Sequence, residues 1–236
     1  MASVALAGVP ELVRRADAQA VTAADFTFET SLAAGASTTA STVGPFIAES
    51  GINAASASAY GFHLGTFGTA TSSSAPANTV FSAPAGNGST HAFSSNHWVL
   101  GDYYQFNVST VGLANVIVSF DEVSSGTGPT AFSFVYSPDG VTFSTFTTYV
   151  VNNSSSFSTG VSNSGFNHLF DLSSVTALAG DATAVFLLVN NSSPTSSAGT
   201  DRIDNFIVET PEPGTLALSA FGASLALLRR HRRKTV

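Results

Sequence analysis

The chain has 236 residues, with 8 basic and 15 acidic side chains, a formal net charge of −7 and no cysteine. The absence of thiols excludes a disulfide framework and a thiolate metal site. Fourteen of the fifteen acids lie between Asp17 and Pro213, where Arg202 is the sole base, so this stretch cannot form the cationic surface that nucleic-acid binding requires.

The first segment, residues 1–20, is interpreted as a leader or a degraded signal peptide. Its apolar stretch at residues 4–9 is short for a signal-peptide core, and Glu11, Arg14 and Arg15 interrupt the region. An Ala-Gln-Ala sequence at residues 18–20 is of the small-x-small type that signal peptidase cuts. The alternative is a leader in which this tripeptide occurs by chance.

Residues 21–209 are predicted to form one domain of short strands. The segment is rich in Phe, Ser, Thr and Gly, and its apolar residues alternate with polar ones, which is the strand periodicity. Eight to ten strands without helical spacers predict an all-β fold, an antiparallel two-sheet β-sandwich. The predicted strands lie within residues 26–28, 60–64, 97–108, 115–120, 132–136, 141–143, 166–172, 184–189 and 203–208.

One hairpin is predicted around the turn Ser137-Pro138-Asp139-Gly140. Proline presets φ at the second position of a turn, and glycine tolerates a positive φ after it. The strand before the turn and the one after it, resuming at 141–143, should therefore pair. One core face is predicted to hold Val116, Val118, Phe120, Phe132, Phe134 and Tyr136.

Three segments of this domain resemble jelly-roll domains of PEP-CTERM and other surface-protein families. They are Gly-Asp-Tyr-Tyr-Gln-Phe at 101–106, residues 124–129 with the turn at 137–140, and Gly-Thr-Asp-Arg-Ile-Asp-Asn-Phe at 199–206. The resemblance covers about residues 25–208 and implies a jelly-roll-like sandwich. Some jelly rolls elsewhere bind sugars or calcium, so the resemblance implies both as candidate ligands.

The acids around Arg202 have two interpretations. Asp201, Asp204 and Asn205 supply hard oxygen ligands close in sequence, which is a candidate calcium site, although the spacing is not that of an EF-hand loop. On a strand, Arg202 and Asp204 share a face and pair directly. We favour the ion pair and expect no cofactor, with calcium as the alternative.

Trp98, Tyr103 and Tyr104 are a candidate aromatic platform for sugar rings, although packing in the core is the favoured interpretation. No nucleophile elbow or phosphate-binding loop occurs. Asp121 and Glu122 are adjacent, so on a strand they point to opposite faces and make a poor pair for glycoside hydrolysis. The chain is therefore predicted not to be an enzyme, with a glycoside hydrolase as the distant alternative.

The C-terminal residues 210–236 contain a short motif, an apolar run and a basic end. The run, residues 214–228, holds 15 residues without a charge and would span about 22 Å as a helix, less than the hydrocarbon core of about 30 Å. We therefore predict a hydrophobic helix that is a weak, processable membrane anchor, with the cations on the cytoplasmic side. The motif is Pro211, Glu212 and Pro213, the apolar run includes Gly214, Leu216, Leu218, Phe221, Leu225, Leu227 and Leu228, and the basic end includes Arg229, Arg230, Arg232, Arg233 and Lys234.

This order of parts resembles the PEP-CTERM sorting signal of exported bacterial proteins. In that family an exosortase, a membrane protease, is thought to recognise Pro-Glu-Pro and remove the tail during surface delivery. The resemblance implies a protein anchored first in the inner membrane through its C-terminus and then found at the cell surface or in the extracellular matrix. A plain single-span anchor is the alternative for the tail. For the body, a surface role without catalysis is predicted, and an exopolysaccharide-binding module is the alternative.

Overall fold

The structure, a computed structural model, describes residues 20–29, 42–62, 92–96, 98–153, 166–196 and 198–210. The leader at 1–19 and the tail at 211–236, with its predicted helix, lie outside these residues. The strands described belong to one compact unit, Val21–Pro211. They are β1 (Thr22–Phe26), β2 (Thr42–Ile47), β3 (Ser58–Phe62), β4 (Phe93–Ser95), β5 (Tyr103–Asn107), β6 (Ile117–Ser124), β7 (Ala131–Ser137), β8 (Ser144–Val150), β9 (Asn152–Asn153), β10 (Asn167–Asp171), β11 (Val185–Asn190) and β12 (Asp201–Glu209).

These strands form two sheets that pack face to face. The first sheet has the order β1-β12-β6-β10, with β4 beside β12 and β9 beside β6, and the second has the order β2-β3-β5-β11-β7-β8. The described pairs are antiparallel apart from the two-residue pairing of β9 with β6, which is parallel. The predicted two-sheet sandwich is therefore confirmed. In the described ranges, no helix combines the length and apolar character that crossing a membrane requires.

Strand periodicity places one aromatic layer between the sheets. In β5, Tyr104 and Phe106 are buried while their neighbours on the strand are half-buried on the opposite face. The ring of Phe106 stacks on Phe206 of the first sheet, with centroids 3.6 Å apart and planes 4° from parallel. Burying each such ring stabilises the fold by roughly 1.5–3 kcal/mol.

The predicted core face is present. Val116, Val118, Phe120, Phe132 and Phe134 are each at most 1% exposed. Tyr136 is partly buried and packs against the same cluster. The alternation in residues 115–120 and 132–136 therefore identified the inward side chains of β6 and β7.

The turn at 137–140 is present, but the strand after it begins later than predicted. Gly140 has φ +69°, as the turn requires. The carboxylate of Asp139 accepts hydrogen bonds from the backbone N–H groups of Val141 and Thr142, at 2.9 and 2.6 Å. Because these two N–H groups donate to the turn residue Asp139 and not to a neighbouring strand, β8 starts only at Ser144. Val141 is accordingly 79% exposed, and its assignment to a strand was wrong.

Candidate functional site

A polar cluster lies in the sandwich interior at one end of β12. Asp201 is paired in register with Ser124 of β6, and Ile203 is paired with Glu122, so Glu122 and Asp201 point inward as diagonal neighbours. Both acids are fully buried. The second sheet contributes two hydroxyls: Tyr149 donates to Glu122 Oε2 at 2.8 Å, and Tyr104 donates to the backbone oxygen of Asp201 at 3.0 Å. The cluster thus joins the two sheets through polar contacts.

Burial dominates the electrostatics of this cluster. It raises the pKa of Glu122 well above the ordinary value, and the nearby charge of Asp201 raises it further. Burial also raises the pKa of Asp201 to about 7, against the opposing effects of Ser124, Glu122, Tyr104 and Arg202. Both acids therefore hold protons more tightly than exposed carboxyls do.

Arg202 lies on the opposite side of the same strand. It is 3% exposed, and its Nε donates to Ser94 Oγ at 3.4 Å. By alternation Asp204 lies on its face, and Asp204 is paired in register with Asp121 of β6. Burial lowers the pKa of Arg202 to about 10 while Asp201 and Tyr104 act in the other direction, so the guanidinium stays charged at neutral pH. The pairing of Arg202 with Asp204 stays a prediction.

The structure does not bring the three candidate calcium ligands together. Asp201 faces the interior, whereas Asp204 faces the other side of the sheet. Asn205 sits at a bulge with φ +51°, and its Nδ2 donates to Asp121 Oδ2 at 2.9 Å. Over the described ranges, no three His, Asp or Glu residues are grouped in a way suited to a metal ion. Calcium binding at these residues stays untested.

The predicted aromatic platform is divided between two faces of the second sheet. Trp98 is 6% exposed and donates from Nε1 to the backbone oxygen of Ser95 at 2.9 Å, and its ring meets that of Tyr104 edge-on. Tyr104 is fully buried. These two rings are core residues and offer no face to a sugar, which corrects the platform hypothesis for them. Tyr103 points away from the core, because adjacent strand residues alternate.

Tyr103 instead belongs to a second group of rings, here called the outer aromatic surface, defined as Tyr60, Phe62 and Tyr103. Phe62 and Tyr103 are paired in register across β3 and β5, with ring centroids 4.8 Å apart and planes at 22°. Tyr60 lies 5.8 Å from Phe62. All three rings are half-buried. They therefore form a stacked row on the outward side of the second sheet.

Polar amides continue this row along β5. Gln105 is paired with Tyr60, and its Nε2 donates to Asn107 Oδ1 at 2.8 Å. Asn107 in turn donates to Ser58 Oγ at 3.2 Å. Hydrogen-bonding groups that keep a defined orientation thus flank the aromatic rings.

Charge is distributed unequally between the two sheets. None of the six strands of the second sheet contains an acidic or basic residue. The charged strand residues that the structure describes all belong to the first sheet and lie on β1, β6, β10 and β12. The outer aromatic surface is therefore part of a neutral sheet in an acidic protein.

Sequence reasoning missed both groups. Glu122 was considered only with its neighbour Asp121, and the two do point to opposite faces. The partner that matters, Asp201, is far away in sequence, and only the register of β6 with β12 brings it close. Tyr60 and Phe62 marked a strand correctly, but their alternation does not tell which face is outward.

The comparison with protein families identifies the tail. Residues 209–234 match the PEP-CTERM protein-sorting motif, starting at the last residue of β12. The chain thus carries the signal of exported proteins that an exosortase sorts through the membrane to the cell surface. This confirms the resemblance drawn from Pro211, Glu212 and Pro213, which lie outside the described residues. No curated protein sequence matches the chain.

Solved structures similar to the body include adhesin and carbohydrate-binding domains. The K3 cleaved adhesin domain of Lys-gingipain from Porphyromonas gingivalis is 11% identical, with a TM-score of 0.46, and the match covers 82% of this chain and 100% of that one. A CBM4 domain is 13% identical, with a TM-score of 0.33 over 50% of this chain and 82% of that one. TmCBM61, solved with β-1,4-galactotriose, is 11% identical, with a TM-score of 0.29 over 50% and 70%. What those proteins bind is a property of those proteins.

Proposed function

We propose that this chain is a non-catalytic protein of the cell surface or extracellular matrix, whose β-sandwich an exosortase separates from the membrane-directed tail. The observation that carries the proposal is the position of the sorting motif. It starts at Glu209, where the last strand ends, so cleavage after the strand would leave both sheets intact. The remaining body then needs no catalytic residue to act as a surface component.

The sorting step is tested in a host that has an exosortase. The full chain is expected to lose its tail, and the mass of the mature protein should exclude residues 229–236. A variant with Pro211, Glu212 and Pro213 replaced by alanine should keep the tail and stay in the membrane fraction. The matched control replaces the exposed Val141 and Val150, both outside the matched residues, by alanine and should be processed normally. A wild-type product that keeps its basic end, or an unchanged location of the motif variant, would refute the proposal.

A second candidate function is the binding of a neutral polysaccharide by the outer aromatic surface. Aromatic faces can cover the apolar C–H face of a sugar ring, and the amides of Gln105 and Asn107 are positioned for its hydroxyls. An uncharged sheet has no charged side chains that could pair with an anionic polymer. It also has none that a neutral polymer would bury without a partner. These features favour a neutral glycan over a charged ligand.

Binding is tested on an array of neutral and acidic glycans with the full chain in a non-ionic detergent. We expect binding to neutral glycans that Tyr103→Ala abolishes. Phe143→Ala removes a ring that is 44% exposed outside this surface and serves as the control. If a folded sample binds no glycan, or if both variants lose glycan binding equally, the binding proposal is refuted and only the structural role remains. Hydrolysis is less favoured because the inward acid pair, Glu122 and Asp201, is fully buried, where no polymer reaches it.

A further inference from the structure

The hydrogen bonds of the buried acids leave one oxygen of each acid without a donor. Tyr149 donates to Glu122 Oε2, and Ser124 donates to Asp201 Oδ2, both at 2.8 Å. In the described part of the chain, Glu122 Oε1 and Asp201 Oδ1 are buried and receive no hydrogen bond from any donor group. The register of β6 with β12 makes the two acids diagonal neighbours on the inward face, where the long side chain of Glu122 can reach Asp201 for a hydrogen bond. Such a contact requires a proton, because two carboxylates have none to donate.

We propose that Glu122 and Asp201 share a proton between Oε1 and Oδ1 in the folded state, and that this proton makes the cohesion of the two sheets pH-dependent. One proton supplies the missing donor to both oxygens at once. Without it, two fully buried carboxylates would repel each other in a medium of low dielectric constant. With it, the pair carries one negative charge, which the positive charge of Arg202, on the opposite side of β12, helps to stabilise.

The groups that face the pair from neighbouring elements are consistent with this charge state. Tyr104 of β5 and Tyr149 of β8 are neutral at neutral pH, since burial raises the pKa of both phenols well above the ordinary value. Ser95 of β4 and Ser124 of β6 add uncharged hydroxyls from the first sheet. His168 of β10 contacts the ring of Tyr149, with centroids 4.7 Å apart, and burial lowers its pKa to about 4. Arg202 is thus the one cation among the groups named here at neutral pH.

The sign of the effect follows from the direction of the pKa shifts. The pKa values of Glu122 and Asp201 are raised in the folded state, whereas in the unfolded chain they return to the ordinary carboxyl values of about 4. The stabilisation is therefore fully present below about pH 4 and is lost as the pH rises through the folded-state values. For Asp201 that loss ends near its folded pKa of about 7, and for Glu122 it continues above. Mild alkali should loosen the sandwich.

Glu122→Gln tests the proposal, because an amide N–H₂ supplies the shared hydrogen permanently. Urea unfolding of the full chain in a non-ionic detergent is followed by the fluorescence of Trp98, the single tryptophan of the chain. The ratio of the unfolding constants, wild type over Glu122→Gln, should rise by roughly tenfold per pH unit from pH 6 to 8, as expected for one proton. This ratio cancels the titrations of His168 and of other groups that both proteins share.

Two further variants bracket this result. Asp201→Asn supplies the hydrogen from the other side of the pair. The ratio of the unfolding constants, wild type over Asp201→Asn, should therefore also rise with pH. Asp171→Asn is the matched control, because this exposed acid of β10 has a lowered pKa and is ionised in both states above pH 6. Its ratio to wild type should not change with pH.

Infrared spectroscopy tests the proton without any variant. The folded wild type at neutral pH should show the carbonyl band of a protonated carboxylic acid, and unfolding should remove it. The absence of this band, or a ratio that is constant from pH 6 to 8, would overturn the proposal. It would also be overturned if calcium stabilised the wild type at pH 8 but had no effect on Glu122→Gln, because a cation would then occupy the pair.

Discussion

Replacing Phe134 by alanine should strongly destabilise the sandwich, because this ring connects the two sheets. It extends from β7 of the second sheet and is fully buried. Its centroid lies 4.6 Å from that of Phe170 and 6.4 Å from that of Phe120, both of the first sheet. Phe186 lies 6.0 Å away within its own sheet. A ring in this position contributes to the packing of both sheets at once.

The expected loss has two parts. Transferring the ring to water costs roughly 1.5–3 kcal/mol, and the cavity that alanine leaves adds to this. The surrounding side chains are themselves rings held by other contacts, so they collapse poorly into the space. Together these effects should lower the free energy of unfolding by about 3–5 kcal/mol.

Urea unfolding of the full chain, followed by Trp98 fluorescence, measures this loss. Phe143→Ala is the control, because the same side chain is removed from a position that is 44% exposed, and a change of at most about 0.5 kcal/mol is expected. An unchanged m-value would show that the two proteins unfold between comparable states. A loss below about 1 kcal/mol for Phe134→Ala, or equal losses for both variants, would refute the packing argument.

Three further predictions concern the charged groups. Arg202→Ala should cost about 3–5 kcal/mol in urea unfolding, because it leaves buried acids without their cation, and a similar loss in the bulkier Arg202→Met would assign the effect to charge. His168→Phe should reduce the loss of stability in acid. Burial lowers the pKa of His168 in the folded state to about 4, so the wild type loses stability as the pH falls from about 6.5 to 4. Identical profiles of unfolding free energy against pH for the wild type and the variant would contradict this. Thermal melts with calcium or a chelator should share one midpoint, and a calcium-dependent rise that vanishes in Asp201→Ala would instead support the metal site.

The sequence predicts the interior strands more completely than the edge strands, of which β10 was located and β2 was not. β6, β7 and β11 carry dense apolar alternation or apolar runs, and all three were located. β2 was not among the predicted strands, and it contains Gly44 and Pro45, two residue types that strands usually lack. Proline is tolerated there because β2 lies at the edge of its sheet, where one row of backbone donors has no ladder to complete. Local sequence patterns therefore fail where the position of a strand in the sheet decides which residues it tolerates.

The candidate sites were less predictable, for a different reason. The tail is a continuous motif, so its residues could be identified from the sequence. The acid pair depends on the register between β6 and β12, which no local pattern encodes. The outer aromatic surface depends on which face of β3 is inward, and this is decided by Gly61. A Cβ at Gly61 would lie 2.9 Å from the ring of Phe93, so this face is the one that meets the opposing sheet.

The placement of β12 has a mechanical consequence for any force applied at its C-terminal end. The strand is hydrogen-bonded on both sides, to β1 and β4 along one edge and to β6 along the other. A pull directed along the strand from this end loads both ladders in shear, so many hydrogen bonds share the force. An edge strand pulled in the same direction would share the force over one ladder instead of two. A force applied at the C-terminal end of β12 is therefore carried into a strand that is hydrogen-bonded along both edges.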